Sequence, residues 1–452
     1  MVDVPAPEVE VGIVKAERIR FYFEGSFFRQ GGDQPLMGFA EAYPSNGSIG
    51  ILHGGRTMHA GKSITFKPGE SSTSRFVIKD VVIGIGFHWE QKEVQEFQGA
   101  LKLVHSGGRI QVVNLISVED YLASVISSEM RGDSAPALLK AHAIISRSWL
   151  LAQIFKKDTL LEEESPYELI HQTEDEYMRW YDREDHEEFH VCADDHCQRY
   201  QGTTRVLNPE VVKAVTETAG EVLVYEGNIC DARFSKCCGG VSEEFEYCWE
   251  PVSHPYLKRV CDTPGSEPVK TTDLKIELNA VQFITGAPEA FCNTTDEALL
   301  RQVLNDYDQS SKDFYRWTVT YAQDEIAALI REKSGIDFGD IVDLIPAERG
   351  ESGRLVRLKV VGTRKTLTIG KELEIRRWLS KSHLYSAAIV IEKMQVHSNV
   401  PEGFILHGAG WGHGVGLCQI GAAVMAGKGY VHEEILTHYF TDATIERRYE
   451  PG

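Results

Sequence analysis

The sequence predicts an α+β fold, with a β-rich N-terminal region followed by a mixed α/β domain that carries helical insertions. Three observations predict it. Short runs of β-branched and aromatic residues, broken by glycine turns, fill residues 1–98. Two segments after residue 117 change to the 3.6-residue period of helices. Further strands and helices then follow without the regular βαβ alternation of a doubly wound sheet.

In chain order, IRFYFEG, SIGILHGG and DVVIGIGFHW read as strands of the N-terminal region. GALKLVHSGGRIQVVNLI (99–116) reads as a hairpin turning at Gly107-Gly108. VEDYLASVISSEM and the segment from Ala135, APALLKAHAIISRSWLLAQIFKK, read as helices. The acidic, aromatic stretch 157–190 is expected to be a helical insertion or exposed arm, and EVLVYEG and CDARFSKCC return to strand. Residues 262–316 read as a loop-plus-helix insertion. RWTVTYA, the helix DEIAALIREKS and the strand pair RLVRLKVVG/KTLTIG lead to HGAGWGHGVGLCQIGAAVMAGKGYVHEEILTHYF, a glycine loop entering two helices. The expected organisation is a region 1–98 and a domain 99–452, the latter with insertions at about 157–200 and 262–316.

Composition narrows the function. A formal net charge of −20 argues against a nucleic-acid partner, which favours a basic surface. No run of 18 apolar residues is present, so no transmembrane segment is expected. The start, MVDVPAPEVEVGIV, has no basic segment followed by an apolar one, so no signal peptide is expected in this chain. The nine cysteines include no CxxC, which removes a thioredoxin motif and a zinc ribbon. Cys230, Cys237, Cys238, Cys248 and Cys261 nevertheless fall close together, and both disulfides and metal ligation stay open for them.

VEDYLASVISSEM holds three carboxylates. Ser117 with Asp120 makes a capping-box-like start, and Glu119 and Asp120 occupy the first turn, where the helix dipole favours negative charge. Glu129 differs, because it continues the apolar stripe of Tyr121, Leu122, Val125 and Ile126. Burial and the negative end of the dipole both favour its protonated form, which suits a general acid. A buried glutamate paired to a cation for structural reasons is the competing reading. On the next helix Lys140 and Arg147 share one line at i, i+7, and two cations on a helix apolar on both sides need a carboxylate such as Glu129, an anionic substrate group, or a solvated edge to snorkel to.

GAGWGHGVGLCQIG is not a P-loop and does not fit GxGxxG. Its alternate glycines, Gly412 and Gly414 among them, let backbone approach a ligand or another strand, with His413 in the middle and Gln419 opening the next helix. REDHEEFHVCADDHCQ gathers His186, His190, Cys192, His196 and Cys197. Two thiolates and two imidazoles make the closed shell of a structural zinc, with His186 or His190 as the fourth ligand. A Cys192–Cys197 disulfide and plain reduced thiols are the alternatives.

Taken together these segments resemble the SpoIID/LytB family of bacterial cell-wall remodelling proteins. Its "EDYL…V…SEM" and "LKAQA…ART" helices appear as VEDYLASVISSEM and LLKAHAIISRSW. Its "GG", tryptophan and "PYL" segment appears as FSKCCGGVSEEFEYCWEPVSHPYL, and its "GxGHGVGxSQxGA" as GWGHGVGLCQIGA. The resemblance covers roughly 99–260 and 316–446. It implies a SpoIID-like catalytic domain and a lytic transglycosylase, a lyase that cleaves the MurNAc-GlcNAc β-1,4 bond of peptidoglycan glycan strands, preferring peptide-free glycan, and leaves 1,6-anhydroMurNAc ends. It implies Glu129 as the catalytic acid, and it places the family's helix cations, catalytic with it, at Lys140 and Arg147. It also implies substrate binding by Gly239, Gly240, Gly412, His413, Gly414 and Gln419, and zinc on His186, Cys192, His196 and Cys197. Relatives that stimulate a cell-wall amidase imply the alternative of a non-enzymatic, glycan-binding enhancer. Action in the periplasm or at the cell surface follows from the substrate. The sequence departs from the family pattern at His142 for glutamine, at Cys237 and Cys238 for small residues, and at Cys418 for serine.

Overall fold

Alternation in Ile19–Arg29 puts Phe21, Phe23 and Phe27 on one face, where they are fully buried. Phe66, Phe76 and Phe97 join them, with Phe23 stacked on Phe27 at 4.4 Å and Phe76 on Phe97 at 5.2 Å between ring centroids. Each such side chain contributes roughly 2–3 kcal/mol by leaving water. This aromatic layer is the core of the β-rich part of the chain. The structure is a computed structural model and describes residues 6–69, 73–83, 91–129, 131, 134–160, 168–181, 186–194, 196–205, 208–263, 273–303 and 313–450. The end of the expected strand DVVIGIGFHW and much of DTPGSEPVK lie outside the described residues.

The fold is α+β, and the chain divides into two compact units: 1–159 with 185–222 and 446–452, and 160–184 with 223–445. In the first, an eleven-stranded sheet runs in the order Val191–Cys192, Glu8–Ala16, Arg109–Ser117, Ala100–Ser106, Ser63–Pro68, Ile19–Arg29, Pro35–Ser45, Ser48–His53, Arg56–Ala60. Arg75–Ile83 pairs with Ile19–Arg29, and Gln91–Phe97 pairs with Arg75–Ile83. The hairpin 100–117 therefore shares one sheet with the strands before residue 98. Its second strand runs directly into α1 (Val118–Glu129), which is followed by α2 (Pro136–Leu160) and α3 (Pro209–Glu217).

The second unit packs the strands Ile341–Arg349, Leu355–Gly362 and Thr366–Gly370 with the helices Gln323–Ser334 and Glu372–Trp378 around Trp317, Ile330, Leu358, Trp378 and Phe404. A second sheet pairs Gly403–Ala409 with Arg316–Ala322 and Ile389–Lys393. Of the stretch 157–190, expected as a helical insertion or exposed arm, residues 161–167 and 182–185 lie outside the described residues, and a hairpin rather than a helix follows α2. Ile170–Gln172 and Glu176–Arg179 form a hairpin, and Glu176–Arg179 adds in parallel to Thr366–Gly370. Thr173 explains the turn, because its hydroxyl accepts from the Asp175 and Glu176 N–H groups and competes with a helical path. No helix among the described residues is long and apolar enough to cross a membrane.

Candidate functional site

In the first unit α1 begins as its sequence predicts. The Ser117 hydroxyl accepts from the Asp120 N–H at 3.1 Å and donates to the Asp120 carboxylate at 2.7 Å. Glu119 has a different task from capping. Its carboxylate accepts from Arg147 Nε at 3.0 Å and Nη2 at 2.6 Å, from the Gly220 N–H at 3.3 Å, and from the Tyr449 hydroxyl at 2.5 Å. Arg147 is fully buried and also donates Nη1 to the Glu221 carbonyl at 3.0 Å. Lys140 pairs with Glu217 of α3 at 2.6 Å, and that contact holds the Glu217 carboxyl below its ordinary range.

Of the partners open to Lys140 and Arg147, Glu129 is not the one engaged: both cations are bonded to other acids. Helical periodicity placed them on one line but could not say which acid they meet. Ten residues separate Glu119 from Glu129, about 15 Å along the helix axis, so an arginine bound at one end of α1 does not serve the other.

Glu129 is the last residue of α1 and is half-buried. Its Oε1 accepts from the Arg199 N–H at 3.3 Å. Arg199 belongs to the loop that follows the Cys/His cluster, and three more bonds lace that loop down. Tyr121 donates to Gln198 Oε1 at 3.4 Å, the Gln201 N–H donates to Ser124 Oγ at 3.2 Å, and Tyr200 donates to Asn114 Oδ1 at 2.5 Å. Burial pushes the Tyr121 hydroxyl well above its ordinary range, and the charges of Cys197, Cys192, Tyr200 and Glu129 add to this. Tyr121 is therefore a neutral donor, and its hydrogen bond goes to Gln198 of this loop.

His186, Cys192, His196 and Cys197 do come together, with one ligand atom from each inside a 4.8 Å span. Cys197 Sγ is 3.5 Å from His186 Nε2 and 3.4 Å from His196 Nδ1, and Cys192 Sγ is 3.8 Å from His196 Nδ1. A tetrahedral zinc with Zn–S of about 2.3 Å and Zn–N of about 2.05 Å separates S from N by about 3.6 Å, so the residues fit a metal ion of that size. Cys197, then His186 and His196, hold the Cys192 thiol well below its ordinary range against the opposing effect of burial, which favours a thiolate ligand. The fourth member of this cluster is His186. The Nδ1 of His190 instead accepts from the Glu10 N–H at 3.1 Å.

In the second unit the two glycine motifs are zipped together. The Cys237 N–H donates to the Trp411 carbonyl and the Trp411 N–H to the Cys237 carbonyl, at 3.1 and 2.7 Å, while the Glu243 N–H donates to the Gly414 carbonyl at 2.9 Å. Close approach explains Gly239 and Gly414. A Cβ on Gly239 (φ +81°) would lie 2.9 Å from the Gly410 nitrogen, and one on Gly414 (φ +80°) would lie 2.4 Å from the Arg354 guanidinium carbon. Gly240 and Gln419 are buried, while Gly412 and His413 are half-buried. His413 Nδ1 accepts from the Val415 N–H at 3.0 Å, which leaves the proton on Nε2. Burial, then Arg233, Arg376 and Arg354, hold this imidazole well below its ordinary range, so it is neutral.

Residues that motif reasoning passed over surround it. Trp411 stacks on Tyr385 at 4.0 Å, Trp249 meets His413 edge-on at 4.5 Å, and the Arg233 guanidinium lies 4.4 Å from the centre of the Trp249 ring. Trp249, Tyr385 and Trp411 are each partly exposed. The tryptophan of the middle motif was a usable signal, whereas Tyr385 sits in no motif. Glu243 anchors this loop from within. It accepts from the Glu244, Glu351 and Ser352 N–H groups and from Ser352 Oγ, yet burial pushes its carboxyl up to about 7.

Comparison with known proteins falls on both units. Residues 106–225, which hold α1, α2 and the Cys/His cluster, match the family described as Stage II sporulation protein (SpoIID), and residues 243–416 match a domain of unknown function (DUF8618). An uncharacterized protein of Brachyspira hyodysenteriae (strain ATCC 49526 / WA1) is 25% identical over 350 residues, covering 77% of this chain and 72% of that relative. The amidase enhancer of Bacillus subtilis (strain 168) is 25% identical over 244 residues, 53% of this chain and 33% of that protein, so the chain spans about a third of its length. Stage II sporulation protein D of Bacillus subtilis (strain 168) is 22% identical over 345 residues, 74% of this chain and 76% of that protein.

Proposed function

The chain is a member of the SpoIID/LytB family, and from that premise we propose a cell-wall function for it outside the cytoplasm, as a lytic transglycosylase cleaving the MurNAc-GlcNAc bond of peptide-free glycan strands. The observation that carries the reading is Glu129, a half-buried acid at the end of α1 whose Oε1 is held by the Arg199 N–H. Ordinary glycosidases need two carboxylates because water must be activated. Here one suffices, because the muramyl C6 hydroxyl is the nucleophile. Glu129 protonates the glycosidic oxygen, and its carboxylate then takes the proton from that hydroxyl as the 1,6-anhydro ring closes. Lys140 and Arg147 do not share this chemistry. They hold α3 and the start of α1 to α2, and so act as positioning residues.

Zinc on His186, Cys192, His196 and Cys197 would order the loop 186–201 and supply no catalytic ligand position, since all four sites come from protein. Through the Arg199 N–H that loop holds the Glu129 carboxylate, and the bond from Tyr121 to Gln198 fastens the loop to α1. The partly exposed aromatic side chains Trp249, Tyr385 and Trp411 are the sugar-binding candidates of the second unit, with Gly412 and His413 beside them.

The test is digestion of purified peptide-free glycan with product mass spectrometry. Glu129→Gln should abolish the anhydro product while the protein stays folded, and unchanged product would end this reading. A second reading, glycan binding that stimulates a cell-wall amidase without cleavage, is favoured by the engagement of Lys140 and Arg147 away from Glu129 and by the relative named amidase enhancer. It predicts that wild type yields no anhydro ends yet accelerates an amidase, and that Glu129→Gln does so equally.

A further inference from the structure

The second unit contains another cluster of ligand atoms, drawn from four separate segments. Cys238, Asp262, Cys292 and Cys418 are all fully buried, and one ligand atom from each lies within 4.8 Å of the others. Cys238 ends the strand-like segment before Gly239-Gly240, Cys418 caps the helix Gln419–Gly427, and Asp262 and Cys292 come from loops. Cys238 and Cys418 are two of the positions at which the chain departs from the SpoIID/LytB motifs. We propose that Cys238, Asp262, Cys292 and Cys418 bind a second zinc ion, in a closed three-thiolate, one-carboxylate site. The proposal does not depend on glycan cleavage.

Geometry favours a metal over a disulfide. The Sγ atoms of Cys238 and Cys292 are 3.7 Å apart. A tetrahedral centre with Zn–S of about 2.3 Å places its sulfurs about 3.8 Å apart, whereas a disulfide needs about 2.05 Å. The surroundings supply the outer hydrogen bonds that such ligands use. Cys418 Sγ accepts from the Cys238 N–H at 3.2 Å and the Gly421 N–H at 3.4 Å, and Cys238 Sγ accepts from the Gly240 N–H at 3.4 Å. Asp262 Oδ2 accepts from the Cys292 N–H at 2.8 Å, and Oδ1 accepts from the Tyr439 hydroxyl at 2.6 Å, an arrangement that orients the carboxylate. Binding displaces thiol protons and involves no change of oxidation state. Three sulfurs and an oxygen in a tetrahedral arrangement select zinc among common divalent ions. Such an ion would tie the CCGG turn to the start of the helix after the glycine loop, and so fix the loop that presents Trp411 and His413.

Metal content of the purified full-length protein is the test. Two zinc ions per chain are expected in wild type, one in Cys418→Ser, one in Cys192→Ser/Cys197→Ser, and none when the three changes are combined. Because Cys418 also caps a helix, cobalt(II) gives an independent reading that needs no change in this cluster. Cys192→Ser/Cys197→Ser reconstituted with cobalt should keep the thiolate-to-cobalt charge transfer of a tetrahedral site. Loss of that band together with all zinc in Cys192→Ser/Cys197→Ser would overturn the proposal. So would a Cys238–Cys292 disulfide in unreduced peptides, or iron with acid-labile sulfide in place of zinc.

Discussion

Arg147 donates two hydrogen bonds to Glu119, and both residues are satisfied without reference to Glu129. The arginine is wholly enclosed, so the pair is a buried ion pair that joins α1, α2 and the chain around Gly220. Breaking such a pair leaves an uncompensated charge and costs about 3–5 kcal/mol. Arg147→Met should therefore lower the denaturation free energy by that order. Lys140→Ala, which removes a partly exposed pair, should change it by less than about 1 kcal/mol. Equal effects of the two in urea titrations would contradict this assignment of roles.

If the His186, Cys192, His196 and Cys197 cluster holds the proposed zinc, removal of that ion should unfasten the loop that carries Arg199. Cys197→Ser is expected to lower stability by roughly 3 kcal/mol and to raise amide exchange at Arg199–Gln201 more than in the strands of the β sheet. A zinc that acted as the hydrolytic centre would instead leave thermal stability unchanged when activity is lost.

Gly414→Ala combines a positive φ with a Cβ 2.4 Å from the Arg354 guanidinium carbon. Arg354 is buried and bonded to Ser352 Oγ and the Cys238 carbonyl, so it has little room to withdraw. The backbone conformation alone costs about 1–2 kcal/mol. A total above about 2 kcal/mol is expected by calorimetry, and a neutral substitution would show that the loop rearranges freely.

Glu243 makes folding sensitive to pH. Burial raises its carboxyl from 4.5 to about 7, against the opposing bonds from Ser352 and the Glu244 N–H and the charge of Arg354. The folded state then binds the proton more tightly than the unfolded chain. The stability this contributes is complete below the unfolded value and is lost as pH rises through about 7. The slope reaches at most about 1.4 kcal/mol per pH unit. Glu243→Gln should flatten that part of the stability profile between about pH 5 and about pH 8, and an unchanged slope would exclude Glu243 as its source.

Elements governed by local chemistry were legible in the sequence. The alternation of Ile19–Arg29, the hairpin at Gly107-Gly108 and the Ser117 cap are all written in neighbouring residues. The gathering of Cys192, His196 and Cys197 with a further histidine was legible for the same reason, since these residues lie within twelve positions, while the choice of His186 over His190 was not. The role of Glu119 was not, because its partners come from residues 147, 220 and 449, and periodicity names a face without naming what faces it. The second cluster left no spacing pattern either. Cys292 and Cys418 lie far outside the run of cysteines that drew attention, and the absence of CxxC says nothing about ligands assembled from distant segments. The hairpin at 170–179 was hidden by an acidic composition that suits a helix, and its pairing partner lies almost two hundred residues away.

Tyr449 donates to Glu119, and the Arg448 N–H donates to the Gly220 carbonyl. These contacts make the order of synthesis matter. A ribosome releases Glu119 and Gly220 long before Tyr449, and all of residues 223–445 emerges between them. The inserted unit can gather its core while the surrounding one still lacks its final bonds, since chains fold by domains as they appear. The unit that holds Glu119 is then completed only after residues 446–449 have emerged. A newly made chain stalled before Arg448 and Tyr449 would carry the Arg147–Glu119 pair with the Tyr449 donor missing, and would be a substrate for quality control although the inserted unit is already present.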